Sequence, residues 1–177
     1  MVRVLEPWFE SAGKRIVKAP KVYVRDSGIL HALLNIPDQV ALERHPKLGA
    51  SWEGFVIEQL LNALNHPQAY YWRTQAGAEL DLLLMQRGRR IGVEVKRADA
   101  PTITRSMQSA IQDLGLHRLL VVYPGTQAYK LSKQVSVLPL QDCLDALTWG
   151  PAFISEFTGI VWSLRESPRI KSPLQFD

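Results

Sequence analysis

Residues 77–99 read GAELDLLLMQRGRRIGVEVKRAD. Two runs rich in Leu, Val and Ile flank a short basic turn. Such runs read as adjacent buried strands of a hairpin. Gly88 in the turn is free to take a positive φ. Yet Asp81 sits in the first run, and Glu94 and Lys96 sit in the second. Burying unpaired charge is costly, so charges placed here need each other or a counter-ion.

Side chains two apart on a strand share a face. Glu94 and Lys96 therefore project together, with Val93 and Val95 on the other side. Glu79 and Asp81 form a second such pair. A tight turn near 87–89 pairs the strands antiparallel and brings position 81 opposite the middle 90s. Asp81 and Glu94 are predicted neighbours. Two carboxylates with a lysine beside them suit Mg²⁺ or Mn²⁺, which prefer oxygen ligands and keep several waters. Such a metal lowers the pKa of a bound water and neutralises charge on a phosphoryl oxygen. The lysine orients that water or stabilises the charge that develops. Asp81, Glu94 and a backbone carbonyl near 95 then make a half-open shell, with Glu58 as a further carboxylate. The plainer reading of Asp81, Glu94 and Lys96 is a structural ion pair at a sheet rim. For Glu58 it is a solvated helix residue.

Outward from the hairpin, SWEGFVIEQLLNALN (51–65) predicts a helix capped by Ser51. Its apolar stripe is Trp52, Val56, Leu60 and Leu64, widened by Phe55, Ile57 and Leu61. Strands are predicted at 69–74, 79–86 and 90–97. Thr102 is expected to cap a second helix that Gly115 ends. RLLVVYP (118–124) reads as a buried strand. QVSVLPL (134–140) reads as an edge strand because of Pro139, followed by a helical turn. Helix, three strands, helix, strand predicts an α/β sheet, since a helix joining two strands makes a right-handed crossover. Three segments result: a basic stretch of short strands and a helix over 1–49, an α/β domain over 50–148, and an apolar extension over 149–177.

The chain has 177 residues, 46% hydrophobic and 21% charged, ordinary for a globular domain with a real core. No apolar run is long enough to span a bilayer and no signal-peptide pattern opens the chain. Cys143 is the single cysteine, which excludes a disulfide framework within the chain. These features predict a cytoplasmic protein without a membrane partner. The net charge is +4. Lys14, Arg15, Lys18 and Lys21 cluster near the N-terminus, and Arg87, Arg89, Arg90 and Arg97 flank the hairpin strands. They read either as solvated turns that keep the protein soluble or as a phosphate-facing surface. His31, His45, His66 and His117 lack any paired spacing, so a zinc site is not expected. Tyr70, Tyr71 and Trp72 read as core rather than base-stacking residues. Gln108 and Gln112 read as surface residues.

The order of a helix glutamate, then ELD, then GVEVK resembles the PD-(D/E)XK nuclease superfamily. That resemblance implies an αβββαβ core, a mixed sheet with helices on both faces. It also implies site roles for Asp81, Glu94 and Lys96, with Glu58 as the helix acid. A narrower likeness runs from about residue 5 to 145, carried by KRIVKAPKVYVRDSGILHALL, WEGFVIEQLL, YYWRTQAGAELDLLL and VEVKRADAPTITRSMQSAIQDLG. These resemble an uncharacterised domain that usually forms the C-terminal part of bacterial and archaeal AAA+ type ATPases. The chain departs from that pattern in lacking a G-x-x-x-x-G-K-[ST] loop, so no ATP site is expected in it. Two functions follow as expectations. One is a Mg²⁺- or Mn²⁺-dependent nuclease acting on DNA. The other is a non-catalytic module that contacts nucleic acid or an ATPase partner. The extension over 149–177 adds the expectation of a homodimer contact.

Overall fold

A computed structural model describes residues 1–9, 16–65 and 67–148 of the chain. Lys14, Arg15, His66 and the whole C-terminal extension lie outside the described residues. The chain opens with β1 (Val2–Leu5) and β2 (Lys21–Val24), which pair antiparallel as a separate two-stranded ribbon. Short helices α1 (Ser27–Leu33) and α2 (Gln39–Arg44) follow, capped by Asp26 and Asp38. Helix α3 (Leu48–Ala63) leads into β3 (Ala69–Arg73), β4 (Glu79–Gln86) and β5 (Arg89–Val95). Then come α4 (Arg105–Leu114), β6 (Arg118–Tyr123), β7 (Tyr129–Lys130), β8 (Val135–Pro139) and α5 (Leu140–Thr148). From α3 to β6 the order is α-β-β-β-α-β, as expected from the sequence.

The six-stranded mixed sheet runs β3-β4-β5-β6-β8-β7. β3, β4 and β5 are antiparallel neighbours, while β5–β6 and β6–β8 are parallel. Alternation along the strands divides the core in two. Leu82, Leu84, Val93, Val95 and Val122 pack with α3 and α5. Leu83, Leu119, Val121 and Val137 pack with Met107, Ala110 and Leu114 of α4. Tyr71 and Trp72 are 1% and 2% exposed, which makes them core residues and not a stacking platform. Gln108 and Gln112 are exposed on α4. A Cβ at Gly92 would come within 2.7 Å of the Leu116 Cδ1 and 3.0 Å of the Leu119 Cδ1, so those leucines would have to shift to admit one.

Several boundaries differ from the sequence reading. Helix α3 starts at Leu48 after Lys47, with no side-chain cap. Ser51 is therefore an interior residue, buried, with its Oγ 2.7 Å from His31 Nε2. Phe55 is 37% exposed and does not widen the buried stripe. Helix α4 is capped by Thr104, whose hydroxyl accepts from the Met107 N–H, two residues later than Thr102. Gly115 ends it in the left-handed region as predicted. β8 is not the edge, because β7 pairs outside it at Ser136 and Val137. Pro139 is tolerated because it closes the strand, not because it borders solvent. Among the described residues no helix is long and apolar enough to cross a membrane.

Candidate metal centre

The β4–β5 hairpin turns through Arg87 and Gly88, with φ of 50° and 74°, between the paired Gln86 and Arg89. Two positive φ values in a two-residue loop match the right-handed twist of the strands. That turn fixes the register, whose last pair is Leu82–Val93. The ladder ends there, and the Asp81 carboxylate lies near enough to Glu94 to raise its proton affinity. A second feature shapes this end. Between Tyr70–Leu83 and Trp72–Leu80, β3 advances two residues and β4 three. The extra residue makes a bulge in β4 at Asp81–Leu82, a device that re-aims a side chain.

The Asp81 carboxylate takes over where the ladder stops. Its Oδ2 accepts the Val95 N–H at 2.9 Å, and its Oδ1 accepts from Lys21 Nζ at 3.3 Å. Glu94 is 4% exposed, and its Oε1 lies 2.6 Å from Lys96 Nζ. Its Oε2 is buried without a hydrogen-bond partner among the described residues. Asp81, Glu94 and Lys96 thus come together at one end of the hairpin.

Glu58 does not join them. Arg3 Nε donates to its Oε2 at 2.5 Å, Arg3 Nη2 to its Oε1 at 3.0 Å and Arg25 Nε to its Oε1 at 2.7 Å. The helix acid that shares a lysine with Asp81 is Glu53. Its Oε1 accepts from Lys21 Nζ at 2.9 Å and from the Tyr23 hydroxyl at 2.6 Å. Residues 53 and 58 stand about 140° apart around an α-helix, so they serve different faces. Lys21 also reaches Glu79 Oε1 at 2.5 Å. As a phosphate-facing lysine Lys21 is corrected by this geometry, since its ammonium is engaged by three carboxylates.

The site is short of positive charge. Glu53, Glu79, Asp81 and Glu94 meet Lys21, Lys96 and, 3.6 Å from Glu79, Arg73, which leaves one net negative charge. Burial raises the Asp81 carboxyl, and Glu53 adds to this against the pull of Lys21 and the Val95 N–H. Burial and the Asp81 charge raise Glu94 against the pull of Lys96. Burial opposes the Lys21 charge, but Asp81 and Glu53 outweigh it and raise the ammonium.

The donor chemistry fits a hard divalent cation. The acidic ligands are oxygens, and one buried Glu94 oxygen lacks a donor. Among the described residues, no three His, Cys, Asp or Glu side chains converge as a metal-holding group. The fit is therefore to a half-open shell of Asp81 and Glu94 completed by water, with Lys21 holding other carboxylate oxygens.

The basic residues are dispersed. Arg87, Arg89 and Arg90 lie at the turn end of the hairpin, roughly 13–20 Å along the strands from Asp81. Arg89 Nη1 is 3.0 Å from His117 Nε2. Arg90 Nη1 donates to the Leu114 carbonyl at 2.8 Å, and its guanidinium stands 5.5 Å from the Trp8 ring centre. Lys18 and Arg97 are exposed, and Arg97 follows Lys96 directly.

The Arg3–Glu58–Arg25 clamp has a measurable signature. The Arg3 hydrogen bond, opposed by burial and assisted by Arg25, holds the Glu58 carboxyl down to about 2. A lowered carboxylate pKa stabilises the fold above its unfolded value of 4.5, and that share is lost as pH falls towards 2. Glu58→Gln is expected to cost about 2 kcal/mol at pH 7. Thermal melts from pH 7 down to 2 should show the two proteins converging; a constant gap would contradict the clamp.

A family model described as a domain of unknown function, DUF4143, matches residues 48–143. A second domain of unknown function, DUF8612, matches residues 1–40. Two uncharacterized proteins, from Mycobacterium tuberculosis and Mycobacterium bovis, are each 54% identical over 144 residues. That alignment covers 81% of this chain and 33% of each relative, so the chain spans about a third of their length. No solved structure matches.

Proposed function

We propose that this chain, which belongs to the DUF4143 family of domains of unknown function, carries a metal-dependent phosphodiester-cleaving site for DNA on the PD-(D/E)XK plan. The carrying observation is the meeting of Asp81, Glu94 and Lys96 at a bulged strand end, with a buried Glu94 oxygen lacking a donor. Bound Mg²⁺ or Mn²⁺ supplies a water of lowered pKa and neutralises phosphoryl charge. The residues do the rest. Asp81 and Glu94 offer oxygen ligands, and the Val95 N–H fixes the Asp81 carboxylate in one orientation. Lys96 is held by Glu94 and stands ready to donate to the attacked phosphate or the attacking water. Exposed Arg97 and Lys18 serve as phosphate contacts whose contribution falls with salt. The resemblance to ATPase-associated domains makes an ATPase half the partner we assign.

A second reading has its own support. Lys21 already meets Glu53, Glu79 and Asp81, as it would in a domain that keeps the framework without catalysis. End-labelled single- and double-stranded DNA and RNA, incubated with the chain and Mg²⁺ or Mn²⁺, separate the two. The nuclease reading expects cleavage that is lost in Asp81→Asn. No cleavage of any form, with salt-sensitive DNA binding unchanged by Asp81→Asn, sinks it in favour of the binding module.

A further inference from the structure

The β1–β2 ribbon is inverted with respect to the usual pattern of a docked ribbon. Val2, Val4 and Val22 face outward at 58%, 51% and 60% exposure. Arg3, Lys21 and Tyr23, from alternate positions, face the domain instead, joined by Arg25 just past the strand. Leu5 is the one fully buried hydrophobic residue of the ribbon strands. The ribbon strands are held to the domain mainly by charge, while the segments at their base are tied to β3, where the Trp8 N–H donates to the Tyr71 carbonyl at 2.7 Å, the Tyr71 N–H to the Glu6 carbonyl at 3.0 Å and the Val17 N–H to the Arg73 carbonyl at 2.9 Å. Arg3 and Arg25 grip Glu58, Lys21 grips Glu53, Glu79 and Asp81, and Tyr23 donates to Glu53. Beside it lies a cleft of about 480 Å³, walled by Val22, Val24, Leu30, Gly54 and Phe55 and reaching Lys21, Glu53 and Glu79. A two-stranded ribbon is marginal by itself, and one with few buried apolar contacts opens easily.

We propose that this ribbon is a strap that closes the acidic site, with the Lys21 ammonium serving as a tethered cation that a divalent metal must displace. This rests on the reading of the carboxylates as a metal site. The chemistry is a competition for the same oxygens. Lys21 donates to Asp81 Oδ1 and draws Glu53 and Glu79 to the same ammonium. When Lys21 leaves, three carboxylates are released together beside the unpartnered Glu94 oxygen. Metal binding and strap docking then exclude one another, each weakening the other by the same factor. In the docked state the site is shut by the chain's own N-terminal segment. A partner that draws the strap away opens it.

The test uses the full chain with Mn²⁺ or Mg²⁺ alone as probe. Calorimetry should show Lys21→Met binding Mn²⁺ at least about tenfold tighter than wild type, since a competing cation has gone. Arg25→Gln loosens the strap at Glu58 without touching the carboxylates around Lys21, and should shift affinity the same way. In wild type, saturating Mg²⁺ should speed hydrogen exchange in a peptide covering Lys21–Val24 and leave one covering Arg89–Val95 unchanged. Metal binding of equal strength in all three proteins, or binding without faster exchange at the strap, overturns the strap while the metal site stands. Absence of metal binding in wild type and both variants overturns the metal reading and the strap with it.

Discussion

Glu94→Gln should make the metal-free protein more stable at pH 8 while removing metal-dependent cleavage. The Glu94 carboxyl is almost fully buried, faces Asp81 and has one oxygen without a donor. Its pKa is raised, so the folded state holds its proton more tightly than the unfolded chain. The associated stability is fully present below the unfolded value and is lost as pH rises through the folded one. For Asp81 and Glu94 together that window runs from about 4 to about 7. Wild type should therefore lose stability between pH 4 and 7, with Glu94→Gln losing less. At pH 5 the two proteins should lie close; at pH 8 the variant should be ahead by roughly 1–2 kcal/mol. A stability gained by removing a strained site charge is the expected cost of function in reverse. Thermal melts across the range check this. A variant less stable than wild type at pH 8 would show the Glu94–Lys96 pair to be structural.

Lys96→Met carries the second large effect. Lys96 lies 2.6 Å from Glu94 Oε1 and is 38% exposed, so its ammonium is anchored at one side and reachable from the other. Removing a single preorganised donor from such a site costs on the order of 10²–10³ in rate. Metal affinity should hold or rise, because a cation next to the ligands has been taken away. Single-turnover cleavage at saturating Mn²⁺, with affinity measured in parallel, separates the cases. Rate lost with affinity kept assigns Lys96 to the chemistry. Rate and affinity lost together assign it to holding Glu94 in place.

The sequence carried the hairpin well. Apolar runs and a two-residue Arg87–Gly88 turn fix register locally, so the approach of Asp81 to Glu94 was legible from spacing. The crossover helix and its Gly115 stop were legible for the same reason, since capping and periodicity are local. The β4 bulge was not legible, because it appears only in the pairing with β3. The role of Lys21 was hidden for a related reason. Sixty residues separate it from Asp81, and a lysine in a basic segment carries no mark of the carboxylates it will meet. Glu53 likewise carries no sequence mark of the Lys21 ammonium and Tyr23 hydroxyl it meets, since both come from a strand some thirty residues earlier. What separates Glu53 from Glu58 on the helix is the 140° between the two positions, read against the face that bears the buried stripe.

The strap also changes how the relatives can be read. The ribbon falls within residues 1–40 and the acidic sheet within 48–143, two separately matched regions. In this structure they are joined by ion pairs across the site.

The central claim is that Asp81 and Glu94 hold a divalent metal. The most direct measurement is a calorimetric titration of Mn²⁺ into wild type and into an Asp81→Ala/Glu94→Ala double variant, both shown folded by circular dichroism. The account predicts one site in wild type and none in the double variant. Equal heats in the two proteins, or no binding in wild type at millimolar Mn²⁺, would contradict it.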